Sequence, residues 1–130
     1  MQKILLIIIC MYILCSCGVD PKVHGSRNIE VIDKKVLSRA NEIIKNDPDA
    51  DIFLLPGYLY QKSDNQNIDM TPGLFIGQIS KQHTNNDEFS FYMASKLPKG
   101  TNLYYSKTPP MYVLAQTEHG YIIYKNMSLE

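Results

Sequence analysis

The spacing of hydrophobic positions divides the chain into three parts. Residues 4–14 form an unbroken run of eleven residues without a charged side chain, directly after Lys3. Apolar residues then recur at positions 36, 37, 40, 43 and 44, which is the period of one helical face. From residue 52 onwards the apolar residues occur in short runs separated by turn residues, as in strands. The pattern therefore predicts an apolar leader, one amphipathic helix and a series of strands.

The helix is predicted between Asp33 and about Asn46. Asp33 has a side chain suited to the N-cap position, and residues 29–32 before it are predicted to form a short strand. The helix is expected to end at Asp47-Pro48, because proline restricts the residue before it and cannot continue the helical hydrogen bonds.

The strand region begins with a predicted hairpin, in which residues 52–55 and 58–61 flank the turn pair Pro56-Gly57. Further strands are predicted over residues 74–81, 88–95, 102–106, 111–117 and 121–126. Antiparallel pairing is expected because no helix connects successive strands. The predicted fold class is α+β, with one N-terminal helix packed on an antiparallel sheet formed by five or six of these segments and the leader forming a separate helix in front.

The leader has the layout of an export signal. As a helix it spans roughly 16 Å, which is well short of the roughly 30 Å hydrocarbon core of a bilayer. Residues Leu14-Cys15-Ser16-Cys17-Gly18 place an aliphatic residue three positions before Cys17 and a small residue immediately before it. This segment resembles the lipobox of bacterial lipoproteins, and the resemblance implies cleavage between Ser16 and Cys17 and a lipid on the Cys17 sulfur. The alternatives are an ordinary signal peptide and an uncleaved N-terminal anchor.

The resemblance implies a domain organisation and a location. Residues 1–16 form a signal peptide, residues 17–28 a lipidated flexible tether and residues 29–130 a single α+β domain. Because two acyl chains on one residue anchor stably, the domain is expected on the extracytoplasmic face of the cell membrane, held there by Cys17.

Composition restricts the classes of partner. The chain has 13 basic and 13 acidic residues, and loss of Lys3 with the leader keeps it near neutrality, which argues against nucleic acid as a partner. All cysteines lie at or before Cys17, so the domain has no disulfide available. With 114 residues after processing, a single monomeric domain is expected.

Candidate catalytic and metal-binding patterns are weak. Asp47, Asp49 and Asp51 have the spacing of the start of a calcium loop, but the sixth position is Ile52 rather than Gly and the twelfth is Tyr58 rather than Glu. The histidines at 24, 83 and 119 have no metal-ligand spacing, and no nucleophile motif is present. The sequence therefore predicts a non-enzymatic protein without a catalytic residue, a metal or a cofactor.

Tyrosines are the remaining candidates for a functional surface. Nine occur, and all except Tyr12 lie in the predicted domain. A phenol ring has an apolar face and a polar tip, which suits stacking on sugars or anchoring a protein. The candidate binding residues are Tyr58, Tyr60, Tyr104, Tyr112 and Tyr124. The alternative is that about half of the tyrosines fill the core.

Several segments of the domain together resemble a known group of proteins. They are residues 46–53 (NDPDADIF), 57–60 (GYLY), 76–79 (IGQI) and 94–101 (ASKLPKGT), with Tyr104 after the last. They resemble uncharacterised small lipoproteins of Bacillus-type Gram-positive bacteria, and the resemblance implies no activity. The sequence is interpreted as a membrane-anchored binding module for an envelope protein or a cell-wall component. The alternatives are an inhibitor or immunity-type lipoprotein against an exported hydrolase or toxin, and an envelope hydrolase.

Overall fold

The computed structural model describes residues 24–107 and 111–128, with side chains from residue 29. The predictions for the leader, for cleavage at Ser16 and for lipidation at Cys17 concern residues outside these ranges.

The helix α1 (His24–Asn46) is longer than predicted. The predicted strand at residues 29–32 is wrong, and Asp33 lies inside the helix instead of capping it. Residues 24–28, assigned to the flexible tether, are also helical in their backbone. No proline in residues 24–46 blocks this extension. Its predicted end at Asn46 is confirmed, and the Asp47 amide donates the last helical bond to the Ile43 carbonyl at 2.7 Å.

In the part of the chain that the structure describes, eight strands follow the helix, rather than the five or six predicted. They are β1 (Ile52–Leu55), β2 (Tyr58–Lys62), β3 (Pro72–Gln78), β4 (Lys81–Gln82), β5 (Met93–Ala94), β6 (Asn102–Ser106), β7 (Tyr112–Thr117) and β8 (Gly120–Asn126). The predicted β1–β2 hairpin is confirmed, and Gly57 has the positive φ of 79° that its turn requires. In place of the strand predicted over residues 88–95, the structure has the two-residue strand β5. Tyr92, directly before β5, has a φ of 62°, and this left-handed conformation interrupts an extended strand.

The sheet is mixed and curled. Its strand order is β3-β6-β7-β8-β2-β1-β5-β4, and the β4–β5 pair is parallel while the other pairs are antiparallel. The strands β3 and β4 lie at opposite ends of this order, but only Ile79 and Ser80 separate them in sequence. Three Cα steps span at most about 11 Å, so the sheet must curl until its two ends meet. The Ile79 amide donates to the Thr101 carbonyl at 2.9 Å, and the Ser80 amide donates to the Tyr92 carbonyl at 2.8 Å.

Curling gives the sheet an inner and an outer face, each with its own core. The inner core fills the curl and includes Phe53, Tyr60, Leu103 and Tyr124. The outer core lies between α1 and strands β1 and β2. All four residues of β1 are buried because they alternate between these two cores. Among the described residues, the large apolar side chains that face solvent lie in the first turns of α1, at Tyr58, at Met70 and on β3.

Candidate functional site

The five candidate tyrosines do not form one surface. Tyr60 and Tyr124 are buried in the inner core, so assigning them to a binding surface is wrong. Both rings pack on Phe53, with centroid distances of 5.0 Å for Tyr60 and 4.9 Å for Tyr124. The Tyr124 hydroxyl donates to Asp51 Oδ1 at 2.7 Å. These two rings fill the curled sheet and are not available to a partner.

Burial of these two hydroxyls predicts a loss of stability in alkali. Burial raises the pKa of Tyr60, as do the nearby Tyr105 and Tyr58 hydroxyls. Burial also raises the pKa of Tyr124, together with its hydrogen bond to Asp51 and the charge of that carboxylate. Since both folded-state pKa values lie above the unfolded value of about 10, their contribution to stability is complete below pH 10 and is lost above it. Each tyrosine is expected to lower the free energy of unfolding by at most about 1.4 kcal/mol per pH unit there.

Urea unfolding at a series of pH values between 8 and 11 measures this loss. Replacing Tyr60 with Phe is expected to flatten the fall above pH 10. Tyr121→Phe is the matched control, because Tyr121 is only partly buried and lies outside the inner core. A Tyr60→Phe protein with the wild-type slope would contradict the assignment.

Tyr104 belongs to an exposed cluster that we call the aromatic patch, formed by Leu74, Phe75, Tyr104 and Tyr121. Leu74 is 78% exposed and Phe75 is 57% exposed. Phe75 is the register partner of Tyr104, and their ring centroids lie 5.5 Å apart. Tyr121 meets Tyr104 edge-on at 6.2 Å. Strands β3, β6 and β8 thus bring three aromatic rings together, two of them with hydroxyl tips, and Leu74 is the exposed neighbour of Phe75 in the chain.

Sequence reasoning missed three of these four residues. Leu74, Phe75 and Ile76 are consecutive, and only alternate residues of a regular strand can enter one core. That run was the available signal that a large apolar side chain must face out. The register of β3 against β6 also shifts between Pro72 and Phe75 and again between Phe75 and Gly77, which accompanies the exposure of both Leu74 and Phe75.

Tyr112 lies away from the aromatic patch, beside the polar loop of residues 63–71. Its hydroxyl accepts a long hydrogen bond of 3.5 Å from Asn65 Nδ2. The loop is attached to the sheet at both ends, where the Ser63 amide donates to the Ile123 carbonyl at 2.9 Å and Ser106 Oγ donates to the Asp69 carbonyl at 3.3 Å. Tyr112 therefore contributes to fixing this loop.

Tyr58 lines a groove between α1 and the β1–β2 turn. The groove has a volume of about 880 Å³. Its apolar walls include Ile29, Ile32, Pro56 and Tyr58. Three of these residues, Ile29, Ile32 and Tyr58, are exposed to solvent. Asp33 Oδ1 is buried at this groove and has no hydrogen-bond partner within residues 24–107 and 111–128.

The acidic and histidine residues considered as metal ligands, apart from His24, have structural partners or lie in solvent. Asp47 Oδ1 accepts from the Asp49 amide at 3.1 Å, and Asp51 accepts from Tyr124. His83 stacks on Phe89 at 4.5 Å and lies 2.8 Å from the Asp87 carbonyl through Nε2, whereas His119 is exposed. In the part of the chain that the structure describes, no three His, Cys, Asp or Glu side chains are grouped to hold a metal ion.

Comparisons with known proteins found no family model, no curated protein and no solved structure that matches this chain. Within the described ranges, no helix is both long enough and apolar enough to cross a bilayer. The functional argument therefore depends on the geometry of the aromatic patch and the groove.

Proposed function

We propose that the chain is an envelope lipoprotein, held on the extracytoplasmic face of the cell membrane by a lipid on Cys17, and that it is a non-enzymatic binding module. The observation that carries the binding role is the aromatic patch. Its partner is an envelope protein or a cell-wall component.

The anchoring part is supported by the spacing between Cys17 and the folded domain. Seven residue steps separate Cys17 from His24, where α1 begins. These steps span at most about 25 Å. A lipid at Cys17 therefore keeps the domain close to the membrane surface, within reach of envelope proteins and of the wall.

The binding part is supported by the exposure of Leu74 and Phe75 at neighbouring positions. Apolar surface in water is unfavourable by about 25 cal/mol per Å², so a partner that covers both side chains gains free energy on contact. Tyr104 and Tyr121 add rings whose edges carry hydroxyl groups, a combination that is common at the energetic centre of interfaces. Strands hold all four residues, so little ordering is required on binding.

Removing the apolar part of the patch is expected to abolish binding without unfolding the domain. In the Leu74→Ser, Phe75→Ser double variant, partner capture from intact envelopes by the acylated protein should fall at least about tenfold, since hot-spot truncations cost 2 kcal/mol or more. Co-sedimentation with isolated cell wall, measured in parallel, distinguishes a wall component from a protein.

The matched control is Val31→Ser. Val31 is as exposed as Phe75, at 57%, but it lies on α1 outside both the patch and the groove. This control is expected to retain wild-type capture. Equal capture by the double variant and the wild type in both assays would overturn the proposed binding surface.

A further inference from the structure

The apolar stripe of α1 extends beyond the part of the helix that packs on the sheet. Ile29, Ile32, Val36 and Ala40 recur at intervals of three and four residues, so they lie on one side of the helix. Val36 and Ala40 are buried in the outer core. Ile29 is 61% exposed and Ile32 is 48% exposed. The stripe therefore packs in the core at one end and faces solvent at the other.

Tyr58 adds an aromatic ring to this exposed end. It lies beside the β1–β2 turn, lines the same groove as Ile29 and Ile32, and is 44% exposed. Asp33 follows Ile32 on α1, but its Oδ1 atom is buried beside Gly57, where a Cβ would lie 3.9 Å from it. This oxygen thus lies against the turn and not at the surface. We call Ile29, Ile32 and Tyr58 the helix-end surface.

The helix-end surface lies at the end of the domain that follows Cys17. The seven residue steps from Cys17 to His24 span at most about 25 Å, and the five helical steps from His24 to Ile29 add about 8 Å. Acyl chains on Cys17 are buried in the bilayer, so the length of the intervening chain limits how far Ile29 can move from the lipid. The membrane surface is therefore an apolar phase that is always within reach of the helix-end surface.

We propose that the helix-end surface docks on the outer surface of the membrane that holds the lipid on Cys17. The inference rests on the lipid anchor proposed above, and it adds the orientation of the domain. The first turns of α1 lie along the boundary between headgroups and acyl chains, as amphipathic helices do, with Ile29 and Ile32 towards the hydrocarbon. Tyr58 suits this boundary because its ring is apolar and its hydroxyl is polar.

Docking in this orientation leaves the aromatic patch to a partner. The patch is carried by β3, β6 and β8, whereas α1 packs on β1 and β2. The two surfaces share no residue. One surface therefore orients the domain on the membrane while the other binds.

Spin labels on single introduced cysteines test the orientation. All native cysteines lie at or before Cys17, so an introduced cysteine is the only free thiol of the cleaved and acylated chain. The Ile29→Cys, Ile32→Cys and Lys34→Cys chains are purified from membranes, labelled with a nitroxide and reconstituted in vesicles of equimolar phosphatidylcholine and phosphatidylglycerol. Collisions of each label with molecular oxygen and with a polar nickel chelate are then measured by electron paramagnetic resonance.

Lys34 is the matched control position on the same helix. At 100° per residue it lies about 140° from Ile29 and about 160° from Ile32 around the helix axis, and its side chain is 74% exposed. The ratio of oxygen to nickel collisions is expected to be several times higher at positions 29 and 32 than at position 34. Oxygen concentrates in hydrocarbon, whereas the polar chelate stays in water.

Two double variants of the Ile32→Cys chain separate docking from folding. Ile29→Ser with Tyr58→Ser is expected to lower the ratio at position 32 to that at position 34. Leu74→Ser with Phe75→Ser changes the aromatic patch and is expected to leave the ratio unchanged. All four replaced side chains are at least 44% exposed, and the near-ultraviolet signal of the tyrosines verifies that both variants are folded.

Mass spectrometry of the same samples distinguishes failure of this inference from failure of the proposed function. A chain without a lipid on Cys17 overturns the anchor and the orientation together. An acylated chain with equal ratios at positions 29, 32 and 34 overturns the orientation alone. Spin–spin coupling between copies at position 29 or 32, with few collisions of either kind, also overturns it, because a second copy of the chain then covers this surface.

Discussion

Replacing Cys17 with Ala is expected to abolish lipidation completely and to leave the chain uncleaved after Ser16. In the lipidation proposed above, the thiol is the nucleophile that accepts the diacylglyceryl group as a thioether, and alanine has no atom that can replace it. The Cys17→Ala protein would then lack the two acyl chains on which the proposed stable membrane anchor depends. Intact-protein mass spectrometry measures the lipid and the leader in one experiment, and membrane fractionation measures the anchor.

The matched control is Cys15→Ala. Leu14 precedes Cys15, whereas Ser16 supplies the small residue that the lipobox places before its cysteine, so only Cys17 fits. The control protein is therefore expected to be cleaved and acylated as in the wild type. Acylation of the Cys17→Ala protein, or a native protein that keeps residues 1–16 and carries no lipid, would contradict the assignment.

The parts of the fold that follow from local signals could be predicted from the sequence. Asp47-Pro48 ends α1 because proline cannot continue a helix, and Pro56-Gly57 sets the β1–β2 hairpin because Gly57 accepts a positive φ. The start of α1 could not be predicted in the same way. An aspartate that precedes a run of helical apolar positions can cap a helix or lie inside one, and the local sequence does not distinguish the two cases. Asp33 lies inside the helix.

The topology depends on contacts between distant residues. Strand β4 has two residues and is paired only to β5, which itself has two residues. Such short strands carry no periodic signal and form because Ile79 and Ser80 join the two ends of the sheet. The parallel β4–β5 pair follows from the same connection, so a rule based on successive hairpins could not predict it.

For the candidate site, too, local patterns predicted one part and contacts between distant residues determined the other. Alternation along β2 predicts that Tyr58 and Tyr60 share a face, and their ring centroids are 6.4 Å apart. It does not predict which end of the strand reaches the inner core, where Tyr60 is buried while Tyr58 remains exposed. The unpartnered oxygen of Asp33 also depends on α1 packing beside the β1–β2 turn, which no local pattern specifies.

Replacing Phe53 with Ala is expected to lower the free energy of unfolding by about 3 to 5 kcal/mol. Phe53 is fully buried between Tyr60 and Tyr124, and its register partner on β5 is Ala94, which is too small to fill the space left. The two ring contacts themselves contribute about 0.5 to 1.5 kcal/mol each. Urea unfolding monitored by the near-ultraviolet signal of the tyrosines measures the change and reports on the two rings that contact Phe53.

Phe75→Ala is the matched control, because it removes the same ring from a position that is mostly exposed. Its expected change is within about 0.5 kcal/mol, as for surface substitutions away from special features. Domains of ordinary size have a stability of only about 5 to 15 kcal/mol, so the Phe53 variant should be close to unfolding while the Phe75 variant is not. Similar losses in both variants would mean that Phe53 does not occupy the centre of a packed inner core. A large loss confined to Phe53 would instead show that the rings inside the curl stabilise the fold and that the exposed ring of Phe75 does not.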